Sequence, residues 1–133
     1  MTQMESARRG SVTPEMEQIA KAESVPVETL RSRVASGRVS VCANRKRRAL
    51  GLSACACGIG EGLRTKVNAN IGTSADYPNL DAELTKLSAA VESGTDAVMD
   101  LSTGGDLRAI RQRVLEASPV VVGTVPIYDA AVQ

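Results

Sequence analysis

A parallel α/β chain is the fold class this sequence predicts, and three observations predict it. Three strand-like runs, Lys66 to Ser74 (KVNANIGTS), Asp96 to Asp106 (DAVMDLSTGGD) and Val120 to Tyr128 (VVVGTVPIY), each close in a polar or turn-forming exit. Amphipathic segments lie between them. The resulting order, strand, helix, strand, helix, strand with short connections, implies parallel strands and right-handed crossovers. Strands that stop in Asn, Gly, Thr and Ser gather polar groups at one end, which is where parallel α/β proteins place ligands.

Taken in order, residues 1–12 read as an extended lead-in, because Arg8-Arg9-Gly10-Ser11 carries no periodicity. Thr13-Pro14 opens a helix with a capping residue and a proline in its first turn. Met16, Ile19 and Ala20 form its apolar stripe, and Val25-Pro26 breaks it. Val27, Leu30 and Val34 mark a second short helix that Gly37 ends. Arg45 to Arg48 form a compact basic run inside a stretch, 42–58, that reads as a solvated loop or a phosphate-binding one. Asn79 is placed to cap a helix whose face carries Leu80, Leu84, Leu87 and Val91, with Gly94 placed to end it. Leu107, Ile110, Val114 and Leu115 repeat that pattern after Asp106, and Pro119 stops it. The predicted organisation is a helical and irregular region over 1–58, containing the basic loop 42–58, then three strands and two helices over 59–133.

The chain has 133 residues and is 43% hydrophobic, enough for a sizeable core, yet it has no Trp or Phe and only two tyrosines, Tyr77 and Tyr128. That core must come from Val, Leu, Ile, Ala and Met. A net charge of +1 gives no global steering toward nucleic acid or membrane. No run is long and apolar enough to span a bilayer, and the amino terminus lacks a signal-like apolar core, so the cytoplasm is the expected location. Three cysteines, Cys42, Cys55 and Cys57, argue against a disulfide framework, and with no histidine they make a poor metal set. The helix pair with Arg31, Arg33 and Arg38 also admits a second reading, a helix-turn-helix with a basic loop acting on nucleic acid. No aromatic interleaves the basic run to stack on bases.

The segments GIGEGLRTKVNANIGTS (Gly58 to Ser74), DAVMDLSTGGD and SPVVVGTVPIY (Ser118 to Tyr128) resemble consecutive signature segments of the phosphomethylpyrimidine synthase, or ThiC, family of thiamine biosynthesis. MTQMESARRG and the helix pair up to Gly37-Arg38-Val39 resemble the family's amino-terminal region. The resemblance covers nearly the whole chain but only the first part of a family member, so a fragment or truncated product is expected. It implies the first strands and helices of a (β/α)8 TIM barrel, incomplete here, preceded by the small helical region. It implies a carbon-carbon lyase of the radical S-adenosylmethionine type. Such an enzyme rearranges 5-aminoimidazole ribotide into hydroxymethylpyrimidine phosphate, uses a [4Fe-4S] cluster, S-adenosylmethionine and zinc, and forms a homodimer.

By the family pattern Asn70, Met99 and Tyr128 line the ribotide pocket, and the equal intervals between them predict equivalent depths on successive barrel strands. Asn70 offers a donor and an acceptor, Met99 a soft apolar wall, and Tyr128 a hydroxyl above a flat face. Taken without the family, Met99 reads as core and Tyr128 as a rim aromatic. Ser102, Thr103, Gly104 and Gly105 precede a helix start that could receive a phosphate, and Asp100 reads as a structural carboxylate. No catalytic residue is assigned. Cys42, Cys55 and Cys57 have the wrong place and spacing for cluster ligands, so no cofactor, nucleic acid or membrane is expected to bind this chain. Within 42–58 the sequence is longer and more basic than the family pattern, which suggests a frame slip or degenerate insertion. Three strands cannot close a barrel, so an unpaired edge, marginal stability and no turnover by the chain alone are expected.

Overall fold

The computed structural model describes residues 1–132. They fall into two compact units, one built from 1–43 with 56–65 and the other from 44–55 with 66 onward.

The first unit begins with α1 (Gln3–Arg8), where an extended lead-in was expected. A capping box nucleates it: the Thr2 hydroxyl accepts from the Glu5 N–H at 3.2 Å, and the Glu5 carboxylate accepts from the Thr2 N–H at 2.7 Å. Only Ala7 of this helix is buried, so no apolar period announces it. α2 (Pro14–Glu23) starts at the Thr13 cap and buries Met16, Ile19 and Ala20. α3 (Val27–Ala35) buries Leu30 and Val34, and Gly37 follows it at φ +78°, a conformation glycine adopts without steric cost. These side chains form one core with Val39.

Val39 belongs to β1 (Val39–Ala43), which pairs antiparallel with β2 (Ala56–Gly60) in the register Val39 to Gly60, Val41 to Gly58 and Ala43 to Ala56. The helical and irregular reading of 1–58 is corrected here, because its boundary falls inside β2. Small residues hid the strand for a packing reason. A Cβ on Gly58 would lie 2.6 Å from Ile19 Cγ2, so close approach to α2 excludes the bulky alternation that marks a strand.

The second unit has the parallel sheet in the order β3 (Asn68–Ile71), β4 (Ala97–Asp100), β5 (Val121–Thr124). α5 (Leu80–Glu92) and α6 (Leu107–Ala117) connect the strands, capped by Asn79 and Asp106, whose side chains accept from the N–H groups of Ala82 and Ala109. Ile71, Leu87, Val98, Ile110, Val114 and Val120 form the core of this unit. Val98 is fully buried, a contribution of about 1.5–3 kcal/mol for a side chain of its class. The sheet is open; no closed barrel exists among the described residues.

Two expectations are corrected in this unit. The run to Tyr128 is not one strand, because β5 ends at Thr124 and Pro126 opens α7 (Pro126–Val132), the position in a helix that proline tolerates best. The basic loop contains a helix, α4 (Arg45–Ala49), capped by Asn44. Asn44 Nδ2 donates to the carbonyls of Leu115 at 2.8 Å and Ser118 at 3.0 Å. Arg47 Nη1 donates to Glu116 and Ala117 carbonyls at 2.7 Å each, and its Nε to the Ser53 carbonyl at 2.6 Å. The end of α6, with its orphan carbonyls and negative dipole end, is thus closed by an amide and a guanidinium. Among the described residues, no helix is long and apolar enough to cross a membrane.

Replacing Asn44 by alanine removes an N-cap and strips the Leu115 and Ser118 carbonyls of their donor. The expected cost is about 2–3 kcal/mol, read as a lower urea midpoint with unchanged slope; a midpoint equal to wild type contradicts this role. The Glu5 carboxyl is held below the ordinary carboxylate range, first by the Thr2 N–H and then by the Thr2 hydroxyl. Its folded value lies below its unfolded one, so its stabilisation is present above the unfolded value and is lost as pH falls through the folded one. Amide protection in α1 is therefore expected to fall on acidification across that window and to lose this pH dependence in Glu5→Ala; identical profiles for the two chains contradict it.

Candidate functional site

Asn70 on β3 lies directly opposite Met99 on β4, and Met99 lies opposite Gly123 on β5. Ala69, Val98 and Val122 pack with the apolar core, so the alternating positions 70 and 99 lie on the other face of the sheet. A Cβ on Gly123 would come within 2.9 Å of both Met99 Sδ and Cε, which places the thioether over this glycine. Asn70 is exposed, and its Oδ1 accepts from Asn68 Nδ2 at 3.3 Å. Its own amide N–H groups remain available as donors to a ligand.

Tyr128 departs from the expected geometry. It is not on the third strand but in the first turn of α7, beyond the end of β5, and is 40% exposed. Equal sequence intervals gave equal depth for Asn70 and Met99 only. The β5 segment is followed at once by Pro126, so the interval that ended on a strand for Met99 ends on a helix for Tyr128.

The exits of β3 and β4 are tied together by backbone bonds that continue the parallel ladder. Leu101 N–H donates to the Ile71 carbonyl and Thr103 N–H to the Thr73 carbonyl, both at 2.8 Å. Thr73 N–H donates to Ser102 Oγ at 3.1 Å, and Thr73 Oγ1 donates to the Gly104 carbonyl at 2.6 Å. Asp100, buried, accepts from the Ser102 N–H at 3.0 Å and from Ser102 Oγ at 2.5 Å. These bonds give Asp100 and Ser102 a structural role. A phosphate at the following helix start would meet the Asp106 carboxylate, which already accepts from Ala109 N–H at 2.9 Å.

Several residues here carried no signal that was read. Glu83, 1% exposed, accepts from the Gly72 N–H at 2.6 Å and pairs with Lys86 at 2.5 Å, anchoring the exit of β3. Its spacing one turn before Leu87 put an acid at the edge of the apolar face, which was the available clue. Arg111 Nη2 donates to both Asp129 oxygens at 2.5 and 2.6 Å, linking α6 to α7.

Basic residues that a helix-turn-helix would aim at phosphates have partners within the chain. Arg31 pairs with Glu28 at 2.7 Å and donates to the Ala7 carbonyl at 2.8 Å, while Arg38 pairs with Glu61 at 3.4 Å. Cys42 and Cys57 are cross-strand partners in the first unit, and Cys55 is exposed in the second. Among the described residues, no group of three or more His, Cys, Asp or Glu side chains is arranged to hold a metal ion.

The two exits approach so closely that a Cβ on Gly104 would lie 2.2 Å from the Ser74 carbonyl oxygen. Gly104→Ala therefore has to push two backbones apart, at an expected cost of about 1–3 kcal/mol in urea unfolding. A variant as stable as wild type contradicts this packing.

The family model described as the radical SAM ThiC family matches residues 2–133. Over all 133 residues the chain is 56% identical to the phosphomethylpyrimidine synthase of Moorella thermoacetica, of which it covers 30%. It is 54% identical to the enzyme of that name from Desulforudis audaxviator and 51% identical to phosphomethylpyrimidine synthase 2 of Methanothermobacter thermautotrophicus, each over the whole chain and 30% of the relative. The chain thus spans about 30% of the length of these curated relatives. A family model that matches residues 2–133, through both units, leads to one conclusion: this chain belongs to the radical SAM ThiC family.

Proposed function

We propose that this chain is the ribotide-binding amino-terminal section of a phosphomethylpyrimidine synthase. In that role it presents Asn70, Met99 and Tyr128 to 5-aminoimidazole ribotide at the rim of a (β/α)8 barrel begun by β3, β4 and β5. The observation that carries the reading is the pairing of Asn70 with Met99 on the sheet face turned away from the helices.

Asn70 would donate its amide N–H groups to a ring nitrogen or ribose oxygen. Met99 would give the flat imidazole a polarizable wall, and Tyr128 would add a ring face and a hydroxyl. The latched exits would hold these groups in place before the ligand arrives, which lowers the ordering cost of binding.

The family's overall reaction, a carbon-carbon lyase step by radical S-adenosylmethionine chemistry in cytoplasmic thiamine biosynthesis, belongs to this proposal, as does a homodimer. The donor set of this chain does not fit a [4Fe-4S] cluster or zinc: histidine is absent, and among the described residues no three or more His, Cys, Asp or Glu side chains are grouped to hold a metal. Its own contribution is binding and orientation, and turnover by the chain alone is not expected.

Calorimetric titration with 5-aminoimidazole ribotide tests the reading. Asn70→Ala is expected to weaken binding by about tenfold, the loss of one or two hydrogen bonds. Thr85→Ala, on the exposed side of α5, is expected to leave it unchanged. Equal affinity of the Asn70 variant and wild type, or no binding by either, contradicts the proposal.

A further inference from the structure

Among the described residues, α7 runs from Pro126 to Val132. It is 7 residues long and buries none of them, and Ile127 is 71% and Tyr128 40% exposed.

A bond between α6 and α7 ties α7 to the rest of its unit. One guanidinium nitrogen, Arg111 Nη2, donates to both carboxylate oxygens of Asp129, with the two side chains 29% and 26% exposed. The contact is charge-assisted and short, and both side chains are largely shielded from solvent, which strengthens it. Arg111 Nε is meanwhile buried without a partner. The Asp129 contact is thus the side-chain bond that places this guanidinium.

We propose that Arg111 and Asp129 are positioning residues for the ligand site: their pair fixes the orientation of α7 and so the placement of Tyr128, the residue adjacent to Asp129, at the exit of β5. This rests on the reading of Tyr128 as a contact for a flat heteroaromatic ribotide, and it extends the site to two groups that never touch the ligand.

The chain has two tyrosines and no tryptophan, so Tyr77→Phe leaves Tyr128 as the only fluorescent reporter. In that background, Tyr128 anisotropy and 5-aminoimidazole ribotide affinity are measured for Asp129→Ala and Asp129→Glu. Asp129→Ala is expected to lower the anisotropy and weaken ribotide binding by about tenfold, and Asp129→Glu, which keeps the charge and both oxygens, to restore both. A general loss of stability would not be repaired by that conservative change. Unchanged anisotropy and affinity in Asp129→Ala, or losses that Asp129→Glu fails to restore, overturn the inference. Reduced anisotropy with unchanged affinity overturns the positioning role by removing Tyr128 from the contact set. A parent chain that binds no ribotide overturns the parent reading instead, while the anisotropy still decides whether the pair orders α7.

Discussion

Backbone hydrogen bonding between β3 and β4 does not stop where the strands stop, and the candidate site depends on that continuation. Two parallel strands of four residues each are short, and parallel pairing alone fixes register weakly over such a length. Here the ladder runs on through Leu101 to Ile71 and Thr103 to Thr73, reinforced by hydroxyls from Thr73 and Ser102. Gly72 and Gly104 permit it, since a side chain at either would strike the opposing backbone. With the exits locked, Asn70 and Met99 have no freedom to slide past one another. The buried Glu83 carboxylate adds a tie from α5 to the same exit.

A second constraint acts at the opposite end of α6. The last carbonyls of a helix need donors, and those of Leu115, Glu116, Ala117 and Ser118 find them in Asn44 and Arg47, about seventy positions away along the chain. The charge cluster of α4 therefore serves the helix dipole in part. Positive charge next to a helix carboxyl end is favourable for the same reason that phosphate is favourable at an amino end, so a basic run by itself does not distinguish the two uses.

Legibility in the sequence followed how local each signal was. Helices α2, α3, α5 and α6 were readable because Thr13, Asn79 and Asp106 cap, Pro26 breaks and the apolar spacing is helical. The β-α-β-α-β order and its parallel pairing were readable from apolar runs closing in Asn, Gly, Thr and Ser. α1 and α4 escaped because their stabilisation is polar: a capping box in one, and in the other a cap whose partners are remote in sequence. β2 escaped because contact with Ile19 demands glycine where a strand pattern wants bulk. For the site, the interval from Asn70 to Met99 translated into register, whereas the same interval onward to Tyr128 crossed from β5 into α7. The Arg111–Asp129 pair and Glu83 were invisible because each depends on which helix faces which strand.

The central claim is one of register, that Asn70 and Met99 face each other because the strand exits are latched backbone to backbone. Scalar couplings across hydrogen bonds, measured by NMR on labelled chain, test it directly. The account predicts couplings from the Leu101 amide to the Ile71 carbonyl and from the Thr103 amide to the Thr73 carbonyl. Couplings from those amides to carbonyls one residue away, or their absence in an otherwise folded spectrum, would contradict it.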